Sequence, residues 1–204
     1  MSTAPERGRP RGFDTAVALE RAKEVFWKYG YEGASLTELT AAMGINKPSL
    51  YAAFGSKEEL FKQAVQLYAE QDMAYARNAL DQPTAYEVAA ALLGDNVRAL
   101  TREDTPPGCL SIQGGTACGA DNAGISAFLA HSRLAGEAAL AARFARARDE
   151  RDLPAGTDPA GLARFVMIVA EGQAVHAAAG ISREQLEQST DLALRAFPQP
   201  GAEH

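Results

Sequence analysis

The chain has 204 residues, of which 47% are hydrophobic, and a formal net charge of −6. This share of apolar residues is sufficient for a buried core and excludes a disordered chain. There is no apolar run of about 18 residues and no apolar segment near the N-terminus, which argues against a membrane span and a signal peptide. Because two cysteines make no disulfide framework, we expect a cytoplasmic protein without a membrane partner.

Composition also predicts the fold class. Alanine occurs 42 times, whereas valine and isoleucine together occur 13 times. Alanine favours helices and β-branched residues favour strands, so we expect an all-α protein. Charge is divided unevenly, with a net of +2 over residues 1–57 and −8 over residues 58–204. This division predicts a small basic part followed by a larger acidic part.

The chain begins with a segment rich in Pro, Gly and Arg, residues 1–12. We interpret it as a flexible basic arm. The first helix is expected to begin after Asp14, whose carboxylate can accept a hydrogen bond from a free backbone N–H group. It should stop at Gly30, because glycine enters the left-handed conformation without a Cβ penalty.

Two short helices are predicted next. A capping box formed by Ser35 and Glu38 opens the second helix, and Gly44 ends it. The third helix begins after Asn46, tolerates a proline in its first turn, and ends at Gly55.

A further capping box at Ser56 and Glu59 predicts the start of a fourth helix, which we expect to continue towards Leu80. The Gly-rich stretch over residues 109–124 shows no clear period. Further helices are expected over residues 84–100, 124–151, 158–179 and 182–197. These make eight helices with an assigned range, and about nine are expected in total.

The second and third helices, with the turn Met43-Gly44-Ile45-Asn46, have the layout of a helix-turn-helix motif. The run from Ala22 to Leu60, which includes F-W-K-Y-G-Y-E-G-A-S-L-T-E-L, resembles the N-terminal domain of the TetR family of bacterial transcriptional regulators. The resemblance implies a support helix over Ser35–Met43 and a recognition helix over Lys47–Phe54. It also implies a C-terminal helical domain that binds a ligand and dimerises through its last two long helices.

The helix-turn-helix motif predicts DNA contacts of three kinds. Hydroxyl groups in the first turn of the support helix can hold a phosphate, a lysine supplies a point charge, and the recognition helix reaches base edges. Because Ala52 and Ala53 offer only methyl groups, base readout should rest more on Lys47, Pro48, Ser49 and the arm. The expected DNA-contacting residues are Arg11, Ser35, Thr37, Lys47, Pro48, Ser49, Tyr51 and Lys57.

Some of these residues also have a structural explanation. The two lysines could simply be solvated surface residues, as most lysines are, and Leu50 and Phe54 are better explained as core residues than as DNA contacts.

In the C-terminal part the helices carry few cations, so we expect an apolar or aromatic ligand rather than a polyanion. No metal or cofactor is expected, because the histidines lack metal-site spacing. The expected pocket residues are Tyr68, Phe128, Leu129, His131, Phe165 and His176.

Three other functions were weighed. A redox-responsive regulator using Cys109 and Cys118 stays open, although no Lys, Arg or His between Pro106 and Gly124 would lower a thiol pKa. An enzyme is disfavoured because no acid–base or nucleophile pattern occurs. A non-specific architectural DNA-binding protein would need a basic chain, and this one is acidic.

The sequence therefore predicts a transcriptional regulator, most simply a repressor released from DNA by a small ligand. We expect residues 1–57 to form the arm and the DNA-binding domain, and residues 58–204 to bind the ligand and dimerise. The partners would be double-stranded DNA carrying a near-palindromic operator, a small-molecule inducer and a second copy of the chain. The location would be the cytoplasm, in association with the nucleoid.

Overall fold

The computed structural model describes residues 13–116 and 119–198, and the predicted all-α class is confirmed there. These residues form ten α-helices and one 3₁₀ turn (Ala120–Asn122). No described helix is both long and apolar enough to cross a bilayer. The helices are α1 (Thr15–Gly33), α2 (Leu36–Met43), α3 (Lys47–Phe54), α4 (Lys57–Gln71), α5 (Ala74–Ala79), α6 (Ala85–Leu100), α7 (Leu110–Thr116), α8 (Ala123–Asp149), α9 (Pro159–Ala178) and α10 (Arg183–Arg195).

Helix α1 begins at a side-chain cap, Asp14, and bends at a glycine, Gly30. The Asp14 carboxylate accepts hydrogen bonds from the N–H groups of Ala16 and Val17, at 2.8 and 3.4 Å. At Gly30 the backbone leaves the helical region, with φ 69° and ψ 179°, and one further turn follows to Gly33. The stop predicted at Gly30 is therefore a kink, which a residue with a side chain would adopt only under strain.

The helix-turn-helix unit is held together by its caps. The Ser35 hydroxyl accepts a hydrogen bond from the Glu38 N–H group at 3.1 Å, and the Glu38 carboxylate accepts one from the Ser35 N–H group at 2.9 Å. Gly44 ends α2 in the left-handed conformation, with φ 68°. The Asn46 side-chain oxygen then accepts a hydrogen bond from the Ser49 N–H group at 2.9 Å. Each cap satisfies a helix end that has no partner within the helix.

Helix α4 ends at Gln71 rather than continuing towards Leu80. The reason lies in α5, which folds back so that the Arg77 guanidinium donates to the carbonyl oxygens of Ala69 and Glu70, both at 2.9 Å. These bonds satisfy carbonyl groups that would otherwise bond the next turn of the same helix.

The core does not divide at residue 57. One buried cluster combines α1 to α4 with residues of α6 to α10, and its centre is aromatic. There the Phe26 and Tyr31 rings meet the Phe61 ring edge-on, at 5.0 and 5.2 Å between centroids. A second cluster joins α5, α6, α8, α9 and α10 around Phe144 and Phe197. The DNA-binding part therefore packs directly on the rest of the chain.

Helix α1 is also tied by hydrogen bonds to the segment that contains α7. The Trp27 indole N–H group donates to the Gly108 carbonyl oxygen at 3.0 Å in a buried position. At the other end, the Glu32 carboxylate accepts bonds from the Gly119 N–H group at 3.1 Å and the Asn122 amide at 2.6 Å. These bonds fix the DNA-binding part against both ends of α7.

Candidate nucleic-acid interface and ligand cavity

Helix α3 is anchored on one side and open on the other. Leu50 is 0% and Phe54 5% exposed, so both belong to the core. On the remaining surface of α3, Lys47, Pro48 and Tyr51 are exposed, and the Tyr51 ring is 46% accessible. The arrangement presents a short, rigidly held helix to an external partner, which is the arrangement that major-groove readout requires.

A hollow of about 640 Å³ lies beside α3, between this helix and α2. Phe13 closes one edge of it, and sequence reasoning had not identified this residue as part of the interface. The walls of the hollow consist largely of small side chains. It is lined by Phe13, Thr40, Ala41, Gly44, Ile45, Asn46, Ser49, Ala52 and Ala53.

The other expected DNA contacts lie around this face. Ser35 and Thr37 are exposed at the N-terminus of α2. The Lys57 ammonium lies over the Tyr31 ring, 4.5 Å from its centroid, a geometry typical of a cation–π contact. Arg11 lies outside the described residues. The structure therefore places the described candidates at the starts of α2 and α4 and along α3, three helices that follow one another in the chain.

Arg21 is a further cation close to α2, and sequence reasoning did not select it. It is exposed on α1, and its guanidinium lies 3.5 Å from where a Cβ atom on Gly44 would stand. The turn of the helix-turn-helix motif thus has a positive charge beside it. No local motif marks Arg21, because its place beside the turn depends on how α1 packs against α2.

A buried charge cluster connects α1 to the C-terminal end of α4. The Lys23 ammonium, 7% exposed, lies 2.8 Å from the Asp72 carboxylate and 3.0 Å from the Glu20 carboxylate. It also donates to the Gln71 amide oxygen at 2.9 Å. Although burial alone would lower it, the pKa of Lys23 is raised above its ordinary value by the hydrogen bonds to Asp72 and Glu20. Arg102 approaches Asp72 from the far side at 3.6 Å.

The C-terminal part contains a cavity of about 400 Å³ whose walls come from α4 to α9. Met73 lies in its wall at the junction between α4 and α5, so the cavity touches the end of the helix that starts beside α3. Most of its surface is apolar. Among the residues lining it are Met73, Leu92, Ile112, Phe128, Leu140 and Met167.

Of the six residues expected to line a pocket, only Phe128 belongs to this lining. The Tyr68 ring packs edge-on against Trp27, 4.7 Å between centroids, and Leu129 is buried in the core. His131 is exposed on α8. Phe165 and His176 line a separate groove between α9 and α10. A helical period cannot distinguish these surroundings, because they depend on which helices pack together.

The cavity also has a few polar groups in its lining. The Asn96 amide is held by the Tyr75 hydroxyl at 2.7 Å and bonds the Gln173 amide oxygen at 2.8 Å. Glu171 and Arg133 form a loose pair, 3.8 Å apart, and burial raises the pKa of the Glu171 carboxyl. A ligand here would therefore meet mainly apolar walls with one ionic pair on them.

This combination of a helix-turn-helix unit and a C-terminal helical cavity defines a class of protein, the helix-turn-helix transcriptional regulators. Residues 18–64 match the family model for bacterial regulatory proteins of the tetR family. The chain is 31% identical over 195 residues to the HTH-type transcriptional repressor ComR of Escherichia coli K12, covering 95% of this chain and 93% of ComR. The chain therefore belongs to the TetR family, whose members are transcriptional regulators and not enzymes.

Two solved structures extend the similarity. A cysteine mutant of the TetR-family regulator CifR, complexed with 26-bp double-strand operator DNA, is 42% identical, with a TM-score of 0.90, over 93% of this chain and 100% of that one. A TetR-type regulator from Rhodococcus sp. RHA1 is 41% identical, with a TM-score of 0.61, over 90% and 98% of the two chains. Both similarities run through the C-terminal part as well as the DNA-binding part.

Proposed function

We propose that this chain is a transcriptional repressor that binds a near-palindromic operator as a homodimer and is released by a small apolar or aromatic ligand. The observation that carries the proposal is the exposed face of α3, whose opposite side is fixed in the core by Leu50 and Phe54. The similar protein ComR is a repressor, and CifR was solved on double-stranded operator DNA. The proposed repressor would act in the cytoplasm, at the nucleoid.

The phosphate backbone is the proposed partner of α2 and the start of α4. Ser35 and Thr37 lie at the start of α2, where free N–H groups and the helix dipole favour an anion. Lys57 has its ammonium held over an aromatic ring, so its charge has a defined position. The exposed Tyr51 hydroxyl would donate to a phosphate oxygen. Contacts of this kind fix the register of the protein on the duplex.

Base edges are the proposed partners of Lys47, Pro48 and Ser49, which lie in the first turn of α3. The N-terminal residues of a recognition helix are those that enter the major groove most deeply. Arg11 would add a contact from the arm.

The proposed dimer face consists of exposed apolar side chains on α9 and α10. Ile168 and Leu192 are each 63% exposed, and Val175 is 54% exposed. A single copy leaves these groups in water, and a second copy would bury them. Pairing matters because two recognition helices about 34–36 Å apart can read successive major grooves.

Footprinting the DNA upstream of the gene tests the DNA-binding proposal. We expect two protected half-sites whose centres are about one helical turn apart. Ile168→Glu should produce monomers and abolish this footprint, whereas Leu134→Glu, at a position 64% exposed on α8, should leave it intact. A single protected half-site, or a footprint that survives in a monomeric variant, would contradict the proposal.

The cavity is the proposed ligand site, and α4 is the proposed lever. A ligand that fits the cavity contacts Val65 and Ala69 on α4, while the N-terminal end of α4 follows α3 directly. A ligand that binds only the conformation with wrongly spaced recognition helices shifts the population off DNA.

Position 136 offers a direct test of the ligand site. Gly136 lines the cavity at an exposed position, and a Cβ atom there would meet only the Met167 methyl at 4.0 Å, so a larger side chain at this edge of the cavity is accommodated without strain. The neutral apolar dye N-phenyl-1-naphthylamine should bind the native protein and the matched control Gly136→Ala. Binding should be lost in Gly136→Leu. Equal dye binding by all three proteins would place the apolar site elsewhere.

The redox alternative uses Cys109 and Cys118, of which Cys118 lies outside the described residues. Cys109 is buried, and burial raises the pKa of its thiol. Since the thiolate is the reactive form, this environment disfavours oxidation. Treatment with peroxide discriminates the two mechanisms: the ligand mechanism expects unchanged operator binding, and release that is absent in Cys109→Ser would favour the redox regulator.

A further inference from the structure

The side of α3 opposite its buried residues carries small apolar groups. Ala52 lies two residues from each of the buried residues Leu50 and Phe54, and at 3.6 residues per turn this puts it on the opposite side of α3. Pro48 lies one turn earlier on the same side. Both residues are exposed. The side of α3 that points directly away from the core is therefore apolar.

The polar residues of α3 flank this centre rather than occupy it. Lys47 and Tyr51 lie on one edge, and Ser49 lies on the other, beside the hollow shared with α2. Asn46, the nearest amide, uses its side-chain oxygen to cap α3. Helix α3, from Lys47 to Phe54, contains no Arg, Asn or Gln, so Lys47, at its edge, is its one side chain of the types that read guanine or adenine with two hydrogen bonds.

Apolar side chains also carry sequence information in the major groove. Thymine places a C5 methyl group there, and alanine and other apolar groups contact it in preference to the other bases. Ser49, Ala52 and Ala53 line the adjoining hollow of about 640 Å³, and side chains this small permit a close approach to the floor of the groove.

We infer that the operator half-site is read chiefly through thymine methyl groups packed against Ala52 and Pro48. This inference rests on the proposed function, because it presupposes that α3 enters the major groove. Lys47 and Ser49 then supply hydrogen bonds at the borders of the thymine contacts. The half-site should contain thymines on one strand at the positions that face the centre of α3.

The test starts from operators selected by the full-length protein from a pool of random duplexes. Each thymine in the selected half-site is replaced by deoxyuridine, which removes the methyl group and keeps base pairing unchanged. Burying one methyl group changes affinity about fourfold, so each contacted thymine should show a loss of about that size. Thymines outside the face of α3 should show none.

The variant Ala52→Gly tests whether the loss of affinity on deoxyuridine substitution comes from contact with the Ala52 methyl group. In this variant the deoxyuridine penalty should disappear at the position that faces residue 52 and persist at the position that faces Pro48. The matched control is Ala53→Gly, which makes the same change on the same helix at a half-buried position off the outward face. It should retain both penalties.

The outcomes separate the two levels of the proposal. Selected half-sites in which deoxyuridine costs nothing, or in which Ala52→Gly leaves every penalty unchanged, would overturn thymine-methyl readout while leaving a sequence-specific repressor. If no duplex is enriched over the random pool, the proposed function itself fails, and the inference fails with it.

Discussion

Replacing Lys23 by methionine tests whether the buried charge cluster fixes α1 to the C-terminal end of α4. Methionine keeps the apolar stem of the side chain and removes its ammonium group. The Asp72 carboxylate, whose side chain is 12% accessible, then loses its 2.8 Å partner. The Glu20 carboxylate loses its 3.0 Å partner, but it is 39% accessible and can be solvated. The main loss therefore falls on Asp72.

The size of the effect follows from this geometry. Breaking a buried ion pair by removing one partner lowers the free energy of unfolding by about 3–5 kcal/mol. Arg102, at 3.6 Å from Asp72, compensates in part, so we expect a value near the lower end, about 3 kcal/mol. For a chain of this length, such a change lowers the melting temperature by about 6–12 °C.

Thermal unfolding at one fixed protein concentration measures this loss, because dimerisation makes the melting temperature depend on concentration. The matched control is Lys62→Met on α4, which breaks accessible pairs with Glu58 and Glu59. Exposed pairs contribute about 0–1 kcal/mol, so this control should melt near the native temperature. If Lys23→Met melts as high as Lys62→Met, Lys23 does not stabilise the junction, and the reasoning is refuted.

Three further predictions concern DNA binding, packing and acid stability. Lys57→Met should reduce the slope of log affinity against log salt concentration by about one, because Lys57 is proposed to neutralise a phosphate, and an unchanged slope would contradict that contact. Phe144→Ala, at a fully buried position, should lower the free energy of unfolding in urea by about 3–5 kcal/mol, and a loss below about 1 kcal/mol would contradict the packing described. Hydrogen bonds from Asn122 and the Gly119 N–H group lower the pKa of Glu32 below its ordinary 4.5, so its contribution to stability is present above that pH and is lost as the pH falls through the lowered value. Urea midpoints should accordingly fall in acid less steeply for Glu32→Gln than for the native protein.

Local signals allowed the first third of the fold to be predicted. The caps at Asp14, Ser35 and Asn46 and the left-handed glycine at Gly44 act within a few residues, so the sequence alone indicates where α1, α2 and α3 begin or end. The end of α4 was missed because Arg77 satisfies its last carbonyl groups from a separate helix. A hydrogen-bond donor on another helix does not change the pattern of apolar residues from which the end of a helix is predicted.

The assignment of α7 failed for a different reason. Its glycines look like loop signals, but Gly114 lies against the aromatic core, where a Cβ atom would come within 3.0 Å of the Phe61 ring. Glycine serves close packing at this position rather than a turn. The same limit applies to the cavity, whose walls come from helices far apart in sequence, so that Phe128 was predicted and Met73 was not.

The candidate DNA interface was predictable because the helix-turn-helix motif is contiguous, whereas Arg21 reaches it only through the packing of α1 beside Gly44. The net charge gave the opposite indication, since −6 for the whole chain disfavours a nucleic-acid partner. The distribution of charge agrees better with DNA binding than the net charge does, because the net positive part, residues 1–57, contains α3 and its exposed face.

The central claim is sequence-specific binding of double-stranded DNA, and one ratio tests it most directly. The affinity for the DNA upstream of the gene is compared with the affinity for a random duplex of equal length, at a single salt concentration near the physiological value. A sequence-specific regulator should prefer the upstream DNA by about a thousandfold or more. A ratio near one would contradict the claim, because non-specific electrostatic attraction alone gives equal affinities.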